Sequence, residues 1–419
     1  MAAEGSPRRA LWGDRNFGIF WAAQTLSAAG DSFAYIAVPL LVLRATGSVA
    51  QMGLLTGVAG AASVCAGIGA GVLVDRLDRR MLLICCDLAR MALYGLIPLA
   101  WAFGPQVWLL YAVLPVCEAI GMVFQVTYVT AVRNLVDADR ITEANGLLFA
   151  SAAAVGVAGP LLAGLVAGLL GPAAAIAFDA ASFALSAGGA FLIRLRTQDV
   201  PAAAPRRERP LREFMAGARF LWRHPVLRSL TAVLACYVFL TFGLTNVLIY
   251  DLHRDLGQPY AVVGVVLAVA AVGTVAGSML AARLRRKVGF GASWIVPVAV
   301  GGVAIACIGP ARAVPVIAAL AATYMACESV GGICSMSLRQ EVTPDHLLGR
   351  VTSAFWTIHG APGPLGAVLL GWAAGRYGVG PVLVTAGTGC LLLAAIALFT
   401  PIRLAAPERM STAADAARS

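Results

Sequence analysis

Charge is scarce in this 419-residue chain: 12% of its residues are Asp, Glu, Lys or Arg, against 60% that are hydrophobic. A soluble domain carries about 25% charged residues, so the balance excludes an ordinary water-soluble fold and points to a polytopic membrane protein. No Gly-x-x-x-x-Gly-Lys-Ser/Thr loop is present, so the chain has no ATPase of its own. The nine Cys, among them Cys65, Cys85, Cys86, Cys117 and Cys327, are scattered through apolar stretches, and the four His form no ligand pattern. Buried free Cys behaves as a small hydrophobe, and neither a metal nor a cofactor is expected. Asp75 with Asp78 and Asp137 with Asp139 do not have the Asp-x-x-x-Asp spacing that a lipid-modifying membrane enzyme would use, and the four His make no His-rich site. Finally, no small-residue cleavage site follows the first apolar run, which reads as a first span and not a removable signal.

What is there is a succession of apolar runs, each long enough to cross the roughly 30 Å hydrocarbon layer with about 20 residues. They give twelve expected spans: 17–43, 49–74, 81–103, 107–132, 143–170 and 172–194, then 226–250, 260–282, 292–310, 313–338, 347–374 and 379–401. The net charge of +10 is not a nucleic-acid signal in this setting. With the N-terminus inside, all but four of the 31 Lys and Arg (Arg44, Arg254, Arg312 and Arg376) fall in internal segments or toward internal span ends. The positive-inside rule then puts both termini in the cytoplasm, and the expected location is the inner (plasma) membrane. The expected organisation is a cytoplasmic segment 1–16, a six-helix bundle 17–194, a linker 195–225, a second six-helix bundle 226–401 and a cytoplasmic tail 402–419. Within the linker, Phe214, Ala218 and Leu221 recur at helical spacing, as in an amphipathic helix on the inner membrane surface.

The two halves repeat. Gly71-Val72-Leu73-Val74-Asp75-Arg76-Leu77-Asp78-Arg79-Arg80 has a worn copy 206 residues later, Gly277-Ser278-Met279-Leu280-Ala281-Ala282-Arg283-Leu284-Arg285-Arg286. At the same offset Arg133, Val136 and Asp139 match Arg339, Val342 and Asp345. Cys117-Glu118 and Cys327-Glu328, and Gly159-Pro160 and Gly363-Pro364, match at nearly the same offset. Parallel six-span repeats are one established transporter plan. The fold class expected is therefore an all-α polytopic membrane protein with twelve transmembrane helices in two pseudo-symmetric six-helix bundles.

Residues 71–80 resemble the signature loop of the major facilitator superfamily, Gly-x-Leu-x-Asp-Arg-x-Gly-Arg-Arg, with Asp78 where Gly is usual and Ala281 in place of Asp75 in the second copy. The Gly156, Gly159, Pro160, Gly164 run is similar to the Gly-Pro signature of the exporter branches. The layout, with Gly30-Asp31, Ala144-Asn145-Gly146 and Phe178-Asp179-Ala180-Ala181-Ser182-Phe183, resembles the macrolide-efflux and enterobactin-exporter-like branch. The resemblance implies an MFS transporter working by alternating access and acting as a monomer on a small-molecule substrate in the lipid bilayer. It implies a gating role for Gly71, Asp75, Arg76, Arg79 and Arg80. For the arginines, setting topology is an equal alternative.

Carboxylates inside spans carry the chemistry, because a charge at the bilayer centre costs at least about 2.5–3.5 kcal/mol and so faces a cavity or a partner. Asp31, Glu118, Asp179 and Glu328 are candidates for proton coupling or for recognition of a cationic substrate. The alternative for each is a carboxyl hydrogen-bonded between helices. Asp87 and Arg90, three residues apart on one helix face, read as a structural ion pair. The resemblance implies export of amphiphilic drugs, macrolides or siderophore-like molecules, with the proton gradient as driving force. Nutrient import and, more remotely, a membrane-embedded enzyme are the other readings. Many proton-coupled drug exporters carry an Arg in mid-span four, and none stands between Trp108 and Val132 here.

Overall fold

The computed structural model describes residues 14–136, 140–193, 210–344 and 347–406, which are helical with no strand among them. The helices are α1 (Arg15–Thr46), α2 (Val49–Arg76), α3 (Arg79–Trp101), α4 (Val107–Leu135), α5 (Ile141–Leu170), α6 (Pro172–Leu192) and α7 (Pro210–Arg223). They continue as α8 (Pro225–Thr241), α9 (Leu244–Tyr250), α10 (Tyr260–Ile308), α11 (Val314–Val342), α12 (Leu348–Gly360), α13 (Gly363–Tyr377) and α14 (Val379–Leu398). A π-helical turn, Asp251–Asp255, follows α9.

Each expected span lies on this list, with three differences in continuity. Spans eight and nine run together as α10, which breaks at Gly289 (φ 76, ψ 177), a conformation that only glycine adopts without strain. Span seven is interrupted at Gly243, between α8 and α9. Span eleven is interrupted after Gly360, where Pro362 and Pro364 cannot donate the hydrogen bonds that a continuous helix needs. Ten of the described helical segments are long and apolar enough to cross a membrane, and α10 at 49 residues is long enough for two crossings. Phe149 and Leu169 on α5 are 75% and 74% exposed, a display of large apolar groups suited to acyl chains and not to water. The chain is a multi-pass membrane protein.

The repeat is visible in the backbone. α5 passes to α6 through Gly171 (φ 89, ψ 158), and α13 passes to α14 through Gly378 (φ 87, ψ 160). The two turns are the same in conformation and 207 residues apart, although Val379 opens the second helix where Pro172 opens the first.

The chain forms two compact units: residues 1–41 with 65–206, and residues 42–64 with 207–419. The segment 42–64, counted with the first half by sequence, therefore packs with the second unit. It does so through small residues: a Cβ on Gly53 would stand 2.4 Å from the Ala367 carbonyl oxygen, and one on Gly57 would stand 2.6 Å from that of Pro364. Asn246 Nδ2 donates to Thr56 Oγ1 across the same contact, at 2.7 Å.

In the first unit Phe17, Phe20, Leu83, Cys86, Phe124, Val132 and Ile193 form a buried core, with Phe20 stacked on Tyr128 at 5.6 Å. In the second, the part of α10 before its break at Gly289 runs side by side with α11 in parallel, and the part after the break packs on α11 in the opposite direction. Gly273 and Gly277 meet the Ala322 and Ala326 carbonyls so closely that a Cβ would stand 2.1 and 2.2 Å away. Lipid tails are as apolar as Leu, so such backbone-to-backbone approach and interhelical hydrogen bonds do the holding. Ser278 and Ser329 supply one such bond at 2.7 Å. The amphipathic segment of the linker is helix α7, which lies against α12 where Gly217 approaches the Arg350 carbonyl. The expected N-terminal segment, most of the linker and most of the tail lie outside the described residues.

Candidate functional site

In the first unit, α1, α3, α4 and α6 bring four carboxyl groups to one guanidinium. Arg90 Nη2 on α3 donates to Asp31 Oδ1 on α1 at 2.6 Å, and the guanidinium stands over the Phe183 ring of α6 at 3.9 Å. Gly121 on α4 stands beside the guanidinium, where a Cβ would be in ordinary contact 3.9 Å from Arg90 Cζ. Gly30 lets α1 lie directly on α6, where a Cβ would stand 2.0 Å from Ser182 Oγ and 2.6 Å from Asp179 Oδ1. Asp179 is thereby pressed against the α1 backbone next to Asp31. Glu118 completes the group from α4, within the electrostatic reach of both Arg90 and Asp31.

The four carboxyls differ in access. Asp31 retains 49% of its side-chain accessibility and Glu118 is exposed, whereas Asp87 and Asp179 are sealed. Neither oxygen of Asp87 makes a hydrogen bond of good geometry among the described residues, and Asp179 Oδ2 has no partner there. Asp179 Oδ1 accepts weakly from Ser182 Oγ at 3.4 Å. Ser186, a polar neighbour of Asp87, accepts from Gln24 Nε2 on α1 at 3.2 Å. The ion pair expected between Asp87 and Arg90 is not the one that forms, because Arg90 bonds Asp31 instead. Spacing of three residues puts both side chains on one face of α3, but it does not fix the direction of a long Arg side chain that can reach the next helix.

Glu328, the quasi-equivalent of Glu118, lies on α11 in the second unit and is exposed. It has no ion pair among the described residues. The buried Tyr237 and Tyr324 stand within its electrostatic reach. The acidic cluster therefore belongs to the first unit, and Glu328 takes no part in it.

In the loop between α2 and α3, Asp78 explains the departure from Gly. It is the N-cap of α3, and its carboxylate accepts from the Met81 N–H at 2.8 Å. Arg80 closes the far end of α6, donating from Nε to the Ala190 carbonyl at 3.1 Å and from Nη2 to the Phe191 carbonyl. These are carbonyls of the last helical turn that have no partner within the helix. Arg79 is half-buried, with Nε lacking a partner among the described residues. The side chains of Gly71, Asp75 and Arg76 lie outside the described residues, as do those of Arg133 and Asp139.

The Gly-Pro run of α5 sits on α1. A Cβ on Gly159 would stand 2.4 Å from Ser32 Cβ, whereas Gly156 faces open space. Pro160 and Gly164 are buried, and α5 passes through Pro160 without a break. Sequence reasoning missed Ser182, Ser186 and Gln24 as companions of the carboxylates. The signal was present: Asp179, Ser182 and Ser186 recur at three- and four-residue steps on α6, a polar stripe on an otherwise apolar helix.

Residues 20–367 match the Major Facilitator Superfamily profile. The chain is 28% identical over 396 residues to the multidrug efflux pump Tap of Mycolicibacterium fortuitum, covering 91% of this chain and 95% of that protein. It is 24% identical over 378 residues to the enterobactin exporter EntS of Escherichia coli, covering 88% of each. Its fold is similar to that of a bacterial homolog of the human lysosomal transporter Spinster in an inward-facing, unoccupied conformation. That match has a TM-score of 0.72 at 17% identity, over 97% of this chain and 98% of that one. The nucleoside transporter NupG matches with a TM-score of 0.72 at 11% identity, over 92% of this chain and 98% of that one. With twelve apolar spans, a repeated signature loop and a profile match across most of its length, the chain belongs to the Major Facilitator Superfamily of membrane transporters.

Proposed function

We propose that the protein is a proton-driven exporter of amphiphilic small molecules, working by alternating access in the plasma membrane with both termini in the cytoplasm. The observation that carries the reading is the acidic cluster: Asp31, Asp87, Glu118 and Asp179 around the single guanidinium of Arg90. Four ionised carboxylates beside one cation would leave three uncompensated negative charges within a membrane-spanning bundle, a burden that binding of protons removes. Asp31 and Glu118, open to solvent, serve as the entry for protons, and Asp87 and Asp179, sealed behind them, retain them. Because Asp31 is also the partner of Arg90, its protonation frees the guanidinium, which links the proton to the packing of α1 against α3 and α6. A cationic or zwitterionic substrate that competes for the same carboxylates would exchange with protons. Tap and EntS, both efflux proteins, support the outward direction.

The test is transport in everted membrane vesicles with an imposed pH gradient, using dye and drug probes. Accumulation that collapses with the gradient, and is lost in Asp31→Asn, supports the reading. Substrate loss on energisation would establish import, and transport by Asp31→Asn and Glu118→Gln equal to wild type at every pH would remove the proton role.

A further inference from the structure

The second unit buries a cation with no anion beside it among the described residues. Arg339, in the last turn of α11, is 1% exposed, and its Nε and Nη1 have no hydrogen-bond partner among the described residues. Its Nη2 lies 2.9 Å from Met336 Sδ, a thioether that accepts weakly. The guanidinium is stacked 3.9 Å over the Phe355 ring and lies 5.9 Å from the Trp356 ring, both on α12. His359 closes the same wall: its ring is 4.4 Å from Phe355 and 5.0 Å from Trp356, and its Nδ1 donates to the Phe355 carbonyl at 2.6 Å. Four residues beyond Arg339, at the C-cap of α11, the Thr343 hydroxyl is also buried and without a partner among the described residues.

An arginine does not lose its proton in a protein, so desolvation cannot be escaped by neutralisation. Ring contacts return part of that cost, and a thioether adds little. What the arrangement lacks is an acceptor of negative charge. Two guanidinium nitrogens, Nε and Nη1, and a hydroxyl stand ready to donate to it. Two of the groups beside the guanidinium reach the surface: Met336 is 38% exposed and Trp356 58% exposed.

We propose that Arg339 and Thr343 form an oxyanion site, with Met336 as a displaceable placeholder and Phe355 and Trp356 as a stacking wall. The ligand is the phosphate or carboxylate group of an amphiphile whose apolar body lies along Trp356. A transported molecule and an anionic phospholipid headgroup share this chemistry. The inference depends neither on transport direction nor on the proton reading, and binding tests it without either.

The experiment uses the full chain in phosphatidylcholine nanodiscs, titrated with dodecyl phosphate and followed by tryptophan fluorescence, with Trp356→Phe identifying the Trp356 signal. Dodecyl maltoside and dodecyltrimethylammonium are the neutral and cationic controls. The expected result is saturable binding of dodecyl phosphate alone, at least tenfold weaker in Arg339→Gln. Met336→Leu, which removes the thioether at similar size, should bind as wild type or tighter. Met336→Glu keeps Arg339 but supplies an internal carboxylate, so it should block binding and raise the thermal midpoint. That variant keeps the test decisive if Arg339→Gln does not fold. Nanodiscs containing phosphatidylglycerol separate the sources: at least tenfold weaker apparent affinity there identifies the headgroup as occupant, and unchanged affinity identifies a free amphiphile. Equal binding by wild type and Arg339→Gln, or by wild type and Met336→Glu, overturns the proposal.

Discussion

The pairing of Arg90 decides how the acidic cluster works, and a double-mutant cycle measures it. In the structure the guanidinium donates to Asp31 Oδ1 at 2.6 Å and stacks on Phe183 at 3.9 Å, while both oxygens of Asp87 lack a good hydrogen bond among the described residues. A hydrogen bond between charged groups is worth about 1.5–3 kcal/mol net. Asp31 is half accessible, so its share of that lies toward the lower end, about 1.5–2 kcal/mol. Contact with the Phe183 ring adds about 0.5–2 kcal/mol to the loss in Arg90→Gln, but it drops out of the cycle because both legs lose it. Unfolding of Asp31→Asn, Arg90→Gln and the double variant in mixed micelles titrated with dodecyl sulfate should therefore give a coupling of about 1.5–2 kcal/mol. The parallel cycle with Asp87→Asn should give well under 1 kcal/mol, because no direct bond joins that pair. A larger coupling for Asp87 than for Asp31 would refute the assignment. It would return Asp87 and Arg90 to a self-contained pair on α3, and Asp31 would lose its link between protonation and helix packing.

Gly30→Ala would place a methyl group 2.0 Å from Ser182 Oγ, so α1 and α6 must part or Ser182 must rotate, at about 1–3 kcal/mol. Adding Ser182→Gly should recover part of that loss, read as non-additive unfolding energies, and Gly30→Ala as stable as wild type would contradict the packing. His224, just ahead of α8, predicts a pH dependence. Burial holds its imidazole below the ordinary value, and the neutral ring caps α8 by accepting from the Leu227 N–H through Nδ1. A group depressed in this way in the folded state contributes stability that is complete above its unfolded pKa of about 6.5 and is lost as pH falls through its folded pKa. Thermal midpoints taken at neutral and mildly acidic pH should fall more in wild type than in His224→Asn, which keeps a capping oxygen that does not titrate. Equal falls would assign the pH dependence to other groups.

The spans were legible because a membrane leaves a helix no alternative: apolar runs of about 20 residues must satisfy their own backbone. The repeat was legible because charged loops such as residues 71–80 and 277–286 stand out between apolar spans, and it reappears in the backbone where Gly171 and Gly378 turn with positive φ. The partner of Arg90 was not legible, and the reason is physical. A helix period gives the face of a residue but not the neighbour that face meets. That neighbour is set by the approach of α1 to α6 at Gly30, where an absent side chain, not a present one, carries the information. The same blindness hid Arg339, which reads in sequence as one more basic residue at the end of a span. Its burial against Phe355 becomes visible only once α12 folds back over α11. Among the described residues the two units hold opposite imbalances, surplus carboxylates around Arg90 in the first and a guanidinium without an anion in the second. A repeated fold whose halves carried the same charges would respond to one ligand charge in the same way in each. The two proposals therefore assign ligands of opposite charge to the two units, and each is tested by variants within its own unit.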